Sequence, residues 1–186
     1  MYFLSALLFL FSLASCACAL FLPQRNYLIP AGAEGDVYIF YGVEGGLKVE
    51  KSLNTTTFHI PDSRFLITNS VSEPSYFNAN YYYVKNDGSR SRLEVEYSSL
   101  HRTEENLRNT APFIWFPRNG SSRWSEIPCE VKYEQFYVGT RLNMLARTQK
   151  ERDEDYFRFQ NFVESNTDIL CGGRPKTQNT TLKKIN

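Results

Sequence analysis

The chain has 186 residues, 22% of them charged, and its formal net charge is +1. A balance this close to neutral argues against nucleic acid as a partner, because phosphate binding requires a concentrated field of basic side chains. Aromatic residues make up 15% of the chain, which favours β-strands, since aromatic side chains suit a pleated, half-buried surface.

The first 19 residues form an export segment. Residues 2–14 (YFLSALLFLFSLA) carry no charged side chain, and the run is shorter than the ~20 residues that cross a bilayer as a helix. Two processing patterns follow it. Residues 17–19 (ACA) form a small-x-small cleavage pattern that would release a soluble protein. Residues 13–16 (LASC) resemble a bacterial lipobox, in which Cys16 would carry the lipid anchor.

The cysteines and the charges around the export segment bear on this choice. Cleavage after residue 19 leaves only Cys129 and Cys171, the even number expected in an oxidising compartment. We predict a disulfide between them, with two separate buried thiols as the alternative. The lack of Lys or Arg before the apolar run weakens the lipobox, whereas the position of Cys16 at the end of that run strengthens it.

Seven short strands separated by Gly, Pro and Asn residues follow the export segment. They cover residues 27–29, 36–41, 55–60, 65–69, 81–85, 92–97 and 131–138. The strand at 36–41 (DVYIFY) has large apolar side chains on both faces, and residues 86–88 (NDG) are a hairpin-turn signal. The even spacing predicts a mainly β fold, an antiparallel β-sandwich of about seven strands.

The pattern changes from strands to helix at Thr140. This residue can cap a helix over residues 141–164, which gives the sandwich a C-terminal helix. The polar run in the middle of that segment (QKERDED) predicts either a solvated helix face or a break between two helices. We therefore expect one domain over residues 20–165, followed by a polar, disordered tail at 166–186.

The sequence contains no pattern typical of catalysis, metal binding or cofactor binding. His59 lies in a strand beside its own turn, where neighbouring Asp and Ser residues point in divergent directions and cannot form a triad. The two histidines and the separated cysteines lack metal-ligand spacing. We therefore predict a non-enzymatic binding or structural module, without metal or cofactor. The alternative is a hydrolase of envelope polysaccharide, whose two carboxylates would be distant in the chain.

One segment, residues 111–128 (APFIWFPRNGSSRWSEIP), carries the candidate ligand-binding residues. These are Trp115, Arg118, Arg123 and Trp124. The Asn-Gly pair at 119–120 predicts the turn of a projecting hairpin that would bring the two tryptophans together. Flat aromatic faces beside Arg suit a glycan or peptide ligand. Alternatively, Trp115 packs onto the sandwich and stabilises the fold.

Four segments resemble, in order, an uncharacterised bacterial family of small exported or lipoprotein-like proteins. The segments are NYLIPAGAEGDVYIFYG at 26–42, FHIPDSRFLITN at 58–69, YYYVKNDGSR at 81–90 and FYVGT at 136–140. The chain departs from the family pattern at Phe65, where glycine is usual, and across a long segment from about 98 to 128.

This resemblance implies a cellular location and no activity. It implies a protein of the bacterial cell envelope, and it favours lipidation at Cys16 over release. We therefore predict a membrane-anchored lipoprotein, with a secreted soluble protein as the alternative.

Overall fold

The computed structural model describes residues 23–71, 78–99, 101, 103–122 and 129–172. The predicted export segment, with Cys16, lies outside them. The strands are β1 Gln24–Pro30, β2 Gly35–Phe40, β3 Glu50–Ser52, β4 Thr55–His59, β5 Phe65–Ile67, β6 Ala79–Val84, β7 Arg90–Arg92, β8 Glu94–Glu96, β9 Pro112–Ser122 and β10 Val131–Thr140. The helices are α1 Glu104–Arg108, α2 Arg141–Ala146, α3 Gln149–Ser165 and α4 Thr167–Leu170. Among these described helices, none has the length and apolar character needed to cross a bilayer.

The strands form two five-stranded sheets. Sheet I has the order β3-β4-β1-β6-β7, and sheet II has the order β5-β2-β10-β9-β8. The predicted mainly β sandwich with a C-terminal helix is confirmed. The described residues hold ten strands rather than about seven, however, and both sheets are mixed. In sheet I, β1 pairs in parallel with β4 and β6; in sheet II, β2 is parallel to β5 and β8 to β9.

The parallel pairs arise because the chain passes repeatedly from one sheet to the other. It leaves sheet I after β1, enters sheet II as β2, returns for β3 and β4, and crosses again for β5. Strands that become neighbours after such a crossing are not joined by a hairpin and can run parallel, whereas a tight hairpin requires antiparallel strands. The predicted turn at 86–88 does join an antiparallel pair, β6 and β7, with Gly88 at a φ of 81°.

The main core lies between the two sheets. It is built from alternate side chains of both inner faces, namely Tyr27, Ile29, Val37, Ile39, Tyr41, Phe58, Ile60, Leu66, Tyr81, Tyr83, Leu93, Ile114, Phe136 and Val138. The predicted strand at 92–97 is divided at buried Leu93, where the chain crosses from β7 in sheet I to β8 in sheet II. One inner face per sheet explains the period-two pattern of the sequence.

A third layer, helix α3, covers the outer face of sheet II. Phe162 stacks on Phe65 with ring centroids 4.2 Å apart, and Phe159 stacks on Tyr38 at 4.4 Å. These contacts explain why β2 is apolar on both faces. Helix α3 begins at a capping box formed by Thr148 and Glu151, so the predicted single helix is two helices, α2 and α3, and Thr140 caps the first as expected.

A disulfide holds the end of this helical layer to sheet II. The Sγ atoms of Cys129, just before β10, and Cys171, just after α4, are 2.07 Å apart, which agrees with the predicted pair. The predicted tail therefore begins inside the helical layer, because residues 166–172 include α4 and buried Cys171. Residues 173–186 lie outside the described part of the chain.

Candidate functional site

A cleft of about 380 Å³ opens on sheet II. We call it the aromatic cleft. It is lined by side chains from β2, β9 and β10 and from the segment after β8, namely Asp36, Ser98, Ser99, Trp115, Phe116, Arg118, Gln135, Phe136 and Tyr137. Its size lies at the lower end of the range of about 300–1,000 Å³ that small-molecule sites occupy. The cleft is therefore large enough for a small ligand.

A β-bulge in β9 places the aromatic side chains at the cleft. Arg118 pairs with Gln135 and Trp115 pairs with Tyr137, so two residues of β9, Phe116 and Pro117, lie opposite one residue of β10. Proline has no N–H to donate to the ladder and is tolerated in a sheet at bulges. The bulge leaves Phe116 in the left-handed region, with a φ of 49°, and 44% exposed.

Trp115 is fixed beside Phe116 at the cleft. Its indole Nε1 donates a hydrogen bond of 3.0 Å to the carbonyl oxygen of Ser98. Its ring centroid lies 5.6 Å from that of Phe116, with the planes inclined at 39°. The two rings thus form one aromatic wall, held in place by a hydrogen bond on one side and by the bulge on the other.

A chain of polar contacts fixes the guanidinium of Arg118. Its Nε and Nη2 donate to Gln135 Oε1 at 3.1 and 2.7 Å. The amide nitrogen of Gln135 donates in turn to Asp36 Oδ1 at 3.4 Å and to the Tyr38 hydroxyl at 3.2 Å. Burial raises the pKa of Tyr38 well above its ordinary value, and the nearby Asp36 carboxylate adds to that shift. The Tyr38 hydroxyl therefore stays protonated at neutral pH.

The negative charge of Asp36 is neutralised inside a four-residue ion cluster. Arg147 Nη2 lies 3.0 Å from Asp36 Oδ2 and also pairs with Asp155. Arg158 lies 3.3 Å from the other oxygen of Asp155. Two arginines thus balance two carboxylates, and all four side chains are at most 31% exposed. Arg118 is consequently the charged group of the aromatic cleft that no described side chain of opposite charge neutralises.

The structure brings together two of the four candidate binding residues. Trp115 and Arg118 both line the aromatic cleft, whereas Arg123 and Trp124 lie outside the described residues. The predicted turn at Asn119-Gly120 is wrong, because both residues belong to β9 and pair with β10. Gly120 instead allows the ring of Tyr133 to pack closely, since a Cβ at this position would lie 2.6 Å from that ring. Phe116 and Gln135 were not predicted.

A buried polar cluster lies on the opposite face of β10, inside the sandwich. Glu134 is 1% exposed, and its Oε2 accepts hydrogen bonds from the hydroxyls of Tyr41 at 2.6 Å and Tyr27 at 2.8 Å. The Arg25 guanidinium lies 3.7 Å away, and the Tyr81 hydroxyl donates to Oε1 at 3.5 Å. Burial raises the pKa of the Glu134 carboxyl above its ordinary value, against the opposing effects of these hydrogen bonds and of the Arg25 charge.

This cluster joins the central strands of the two sheets. Arg25 and Tyr27 belong to β1 in sheet I, whereas Glu134 belongs to β10 in sheet II. Because the next residue of β10 is Gln135, the cluster also fixes the strand that positions Arg118. The alternation of this segment is enough to predict that Glu134 lies on the inner face with Phe136 and Val138. The partners of Glu134 could not be predicted, because they come from distant parts of the chain.

The comparisons with known proteins identify the family and assign no activity. A model of a family of unknown function, DUF6843, matches residues 23–144. The chain belongs to this family. Membership confirms the resemblance seen in the sequence. The DUF6843 match includes the aromatic cleft and the Glu134 cluster, whereas helix α3 and Cys171 follow its last residue.

One solved structure is similar to this DUF6843 chain in fold. It is a Bacillus anthracis protein described as a candidate lipoprotein, with a TM-score of 0.52 and 17% sequence identity. The similarity covers 77% of this chain and 96% of that one. At this identity it shows a shared fold. No curated protein matches the sequence.

Proposed function

We propose that this protein is a non-enzymatic binding module of the bacterial cell envelope that takes its ligand in the aromatic cleft. The observation that supports this most strongly is the conformation of Phe116. A bulky residue in the left-handed region costs about 1–3 kcal/mol, and such strain concentrates at ligand sites. Phe116 is 44% exposed beside Trp115, so core packing does not account for that cost.

The second part of the proposal is an anchor through lipid on Cys16. The lipobox-like residues 13–16 end the apolar run, and the described domain begins shortly afterwards. Cys16 and Gln24 are eight positions apart in the sequence, and a segment of that length reaches at most about 29 Å. A lipid on Cys16 would therefore keep the binding domain close to the membrane surface.

Intact-mass measurement of the mature protein from a bacterial host tests the anchor. We expect a chain that begins at Cys16 and carries acyl groups, and we expect the protein to partition into detergent. Cys16→Ala should abolish both the acyl mass and the partitioning, whereas Cys18→Ala should keep both. A mature chain that begins at Leu20 without lipid would instead establish the secreted alternative.

Binding at the aromatic cleft is tested by tryptophan fluorescence across a panel of envelope glycans and peptides. A Trp124→Phe background makes Trp115 the reporter. We expect a ligand in the panel to quench Trp115, and we expect Phe116→Gly to weaken its binding at least tenfold. Relief of backbone strain offsets the lost ring contacts, so the same variant should unfold within about 1 kcal/mol of the parent.

The matched control is Tyr156→Ala, which removes an exposed aromatic ring from α3 and should leave binding unchanged. If no panel member quenches Trp115 and Trp115→Ala costs stability instead, the aromatic wall is structural and the proposal fails.

The alternative of a polysaccharide hydrolase remains a prediction from the sequence. Asp36 is the carboxylate that lines the aromatic cleft, and it is held by Arg147 and Gln135, whereas glycosidases use two carboxyl groups flanking the bond. Product analysis after incubation with the same glycan panel distinguishes the two functions. Release of reducing ends by the wild type would favour the hydrolase.

A further inference from the structure

We infer that the ligand of the aromatic cleft is a carbohydrate that bears a carboxylate, with a sugar ring against Trp115 and Phe116 and the carboxylate on Arg118. This inference rests on the proposed binding function and names the chemical class of the ligand. Three features of the cleft carry it: the orientation of one guanidinium, the local charge balance, and the pairing of the strands that form the floor.

The Arg118 guanidinium is held so that its outer edge remains available. Gln135 Oε1 receives the Nε–H and one Nη2–H, and a guanidinium has five N–H donors. No other described residue accepts a hydrogen bond from Arg118. One Nη1–H and the second Nη2–H therefore form the planar fork that binds a carboxylate with two parallel hydrogen bonds.

The charge balance of the cleft also favours an anion. Asp36 and Arg118 are the two charged residues that line it, and Asp36 is neutralised in the cluster with Arg147, Asp155 and Arg158. A neutral amide, Gln135, holds Arg118 in place where a carboxylate would have cancelled its charge. The cleft thus holds a preorganised cation, and none of the described residues that line it supplies a counter-charge to Arg118.

The strand pairing favours a sugar over a peptide. Peptides commonly bind a sheet by adding a strand to its edge, where main-chain groups are unpaired. The floor of the cleft is formed mainly by β10, which is paired on both edges, with β2 on one side and with β9 on the other. A ligand over β10 is therefore contacted by side chains, whereas the edge of β9 beyond Trp115 pairs with no described strand. The aromatic wall, the Ser98 and Ser99 hydroxyls and the Gln135 amide suit a flat ring edged with hydroxyl groups.

Matched acidic and neutral sugars test the inference on the folded wild-type protein. The probes are disaccharides containing N-acetylmuramic acid or glucuronic acid, each compared with its carboxyl methyl ester by calorimetry. We expect the acid to bind at least tenfold more tightly than the ester at low ionic strength. Screening by salt should reduce this preference, because the carboxylate contributes through its charge.

Variants of Arg118 then assign the preference to that residue. Arg118→Gln should bring the affinities for acid and ester within threefold of each other, and Arg118→Lys should keep part of the preference. Arg90→Gln, which changes an exposed arginine on β7 in sheet I, should leave it intact. Trp115→Ala should weaken acid and ester alike.

The outcomes separate this inference from the function on which it rests. Equal affinity for acid and ester would contradict the assignment of a carboxylate to Arg118, and so would a preference that persists in Arg118→Gln. Neither result would contradict the binding function. Binding of peptides with no binding of sugars would contradict the inference that the ligand is a carbohydrate, but it would agree with the binding function. Failure of every glycan and peptide to bind at the cleft overturns both.

Discussion

Replacing Glu134 with alanine is expected to lower the free energy of unfolding by about 3–5 kcal/mol, the cost of breaking a buried ion pair from one side. The variant leaves the Arg25 guanidinium, which is 6% exposed, without the carboxylate that lies 3.7 Å from it. It also removes the acceptor for the Tyr27 and Tyr41 hydroxyls inside the sandwich. Urea denaturation followed by circular dichroism measures the loss.

Two further variants separate the polar cluster from a simple cavity effect. Glu134→Gln keeps the shape and one acceptor oxygen, so its loss should be smaller than that of Glu134→Ala. The double variant Arg25→Met/Glu134→Leu removes both buried charges and should recover part of the stability. Glu130→Ala, at an exposed position just before β10, should have no measurable effect. A Glu134→Ala variant as stable as the Glu130 control would contradict the role assigned to the cluster.

Removing the disulfide is expected to cost about 4 kcal/mol, because a cross-link across this loop restricts the unfolded chain. Cys129 and Cys171 are 42 residues apart in sequence, and the bond links the start of β10 to the end of the helical layer. The test is urea denaturation of Cys129→Ala/Cys171→Ala beside the wild type, each with and without reductant.

The reductant supplies the matched control for this second prediction. It should destabilise the wild type to nearly the level of the double variant and leave the double variant unchanged. Helix α3 keeps its ring contacts with sheet II, so the oxidised and reduced proteins should have similar helical content in the native state. Two results together would contradict the disulfide. The stability of the wild type would not change with reductant, and two of its thiols would react with iodoacetamide without prior reduction.

The strands of the sandwich were predictable because their signals are local. Val37 and Ile39 alternate with Tyr38 and Phe40, and the structure places the first pair in the core between the sheets and the second pair under α3. Period-two alternation is the same for parallel and antiparallel strands. The direction and partners of each strand therefore could not be derived from it, and the mixed sheets differ from the antiparallel expectation.

The candidate site was predictable only in part. Trp115 and Arg118 stood out because tryptophan and arginine are frequent in binding sites. Phe116 did not, because its exposure follows from a bulge that exists only when β9 pairs with β10. The Asn-Gly pair at 119–120 signals a turn when read alone, yet the long partner strand β10 and the Tyr133 ring hold it in an extended strand.

The strand-rich composition and the family resemblance are properties of the chain itself, and the sequence was sufficient to determine them, whereas the export segment stays a prediction. Local hydrophobicity and turn chemistry depend on neighbouring residues, so they can be recognised in the sequence without knowledge of the fold. Only the tertiary structure decided that Arg118 is held by Gln135 beside an aromatic wall and that Glu134 joins the two sheets. Both arrangements depend on side chains that are distant in sequence and meet only when the two sheets pack.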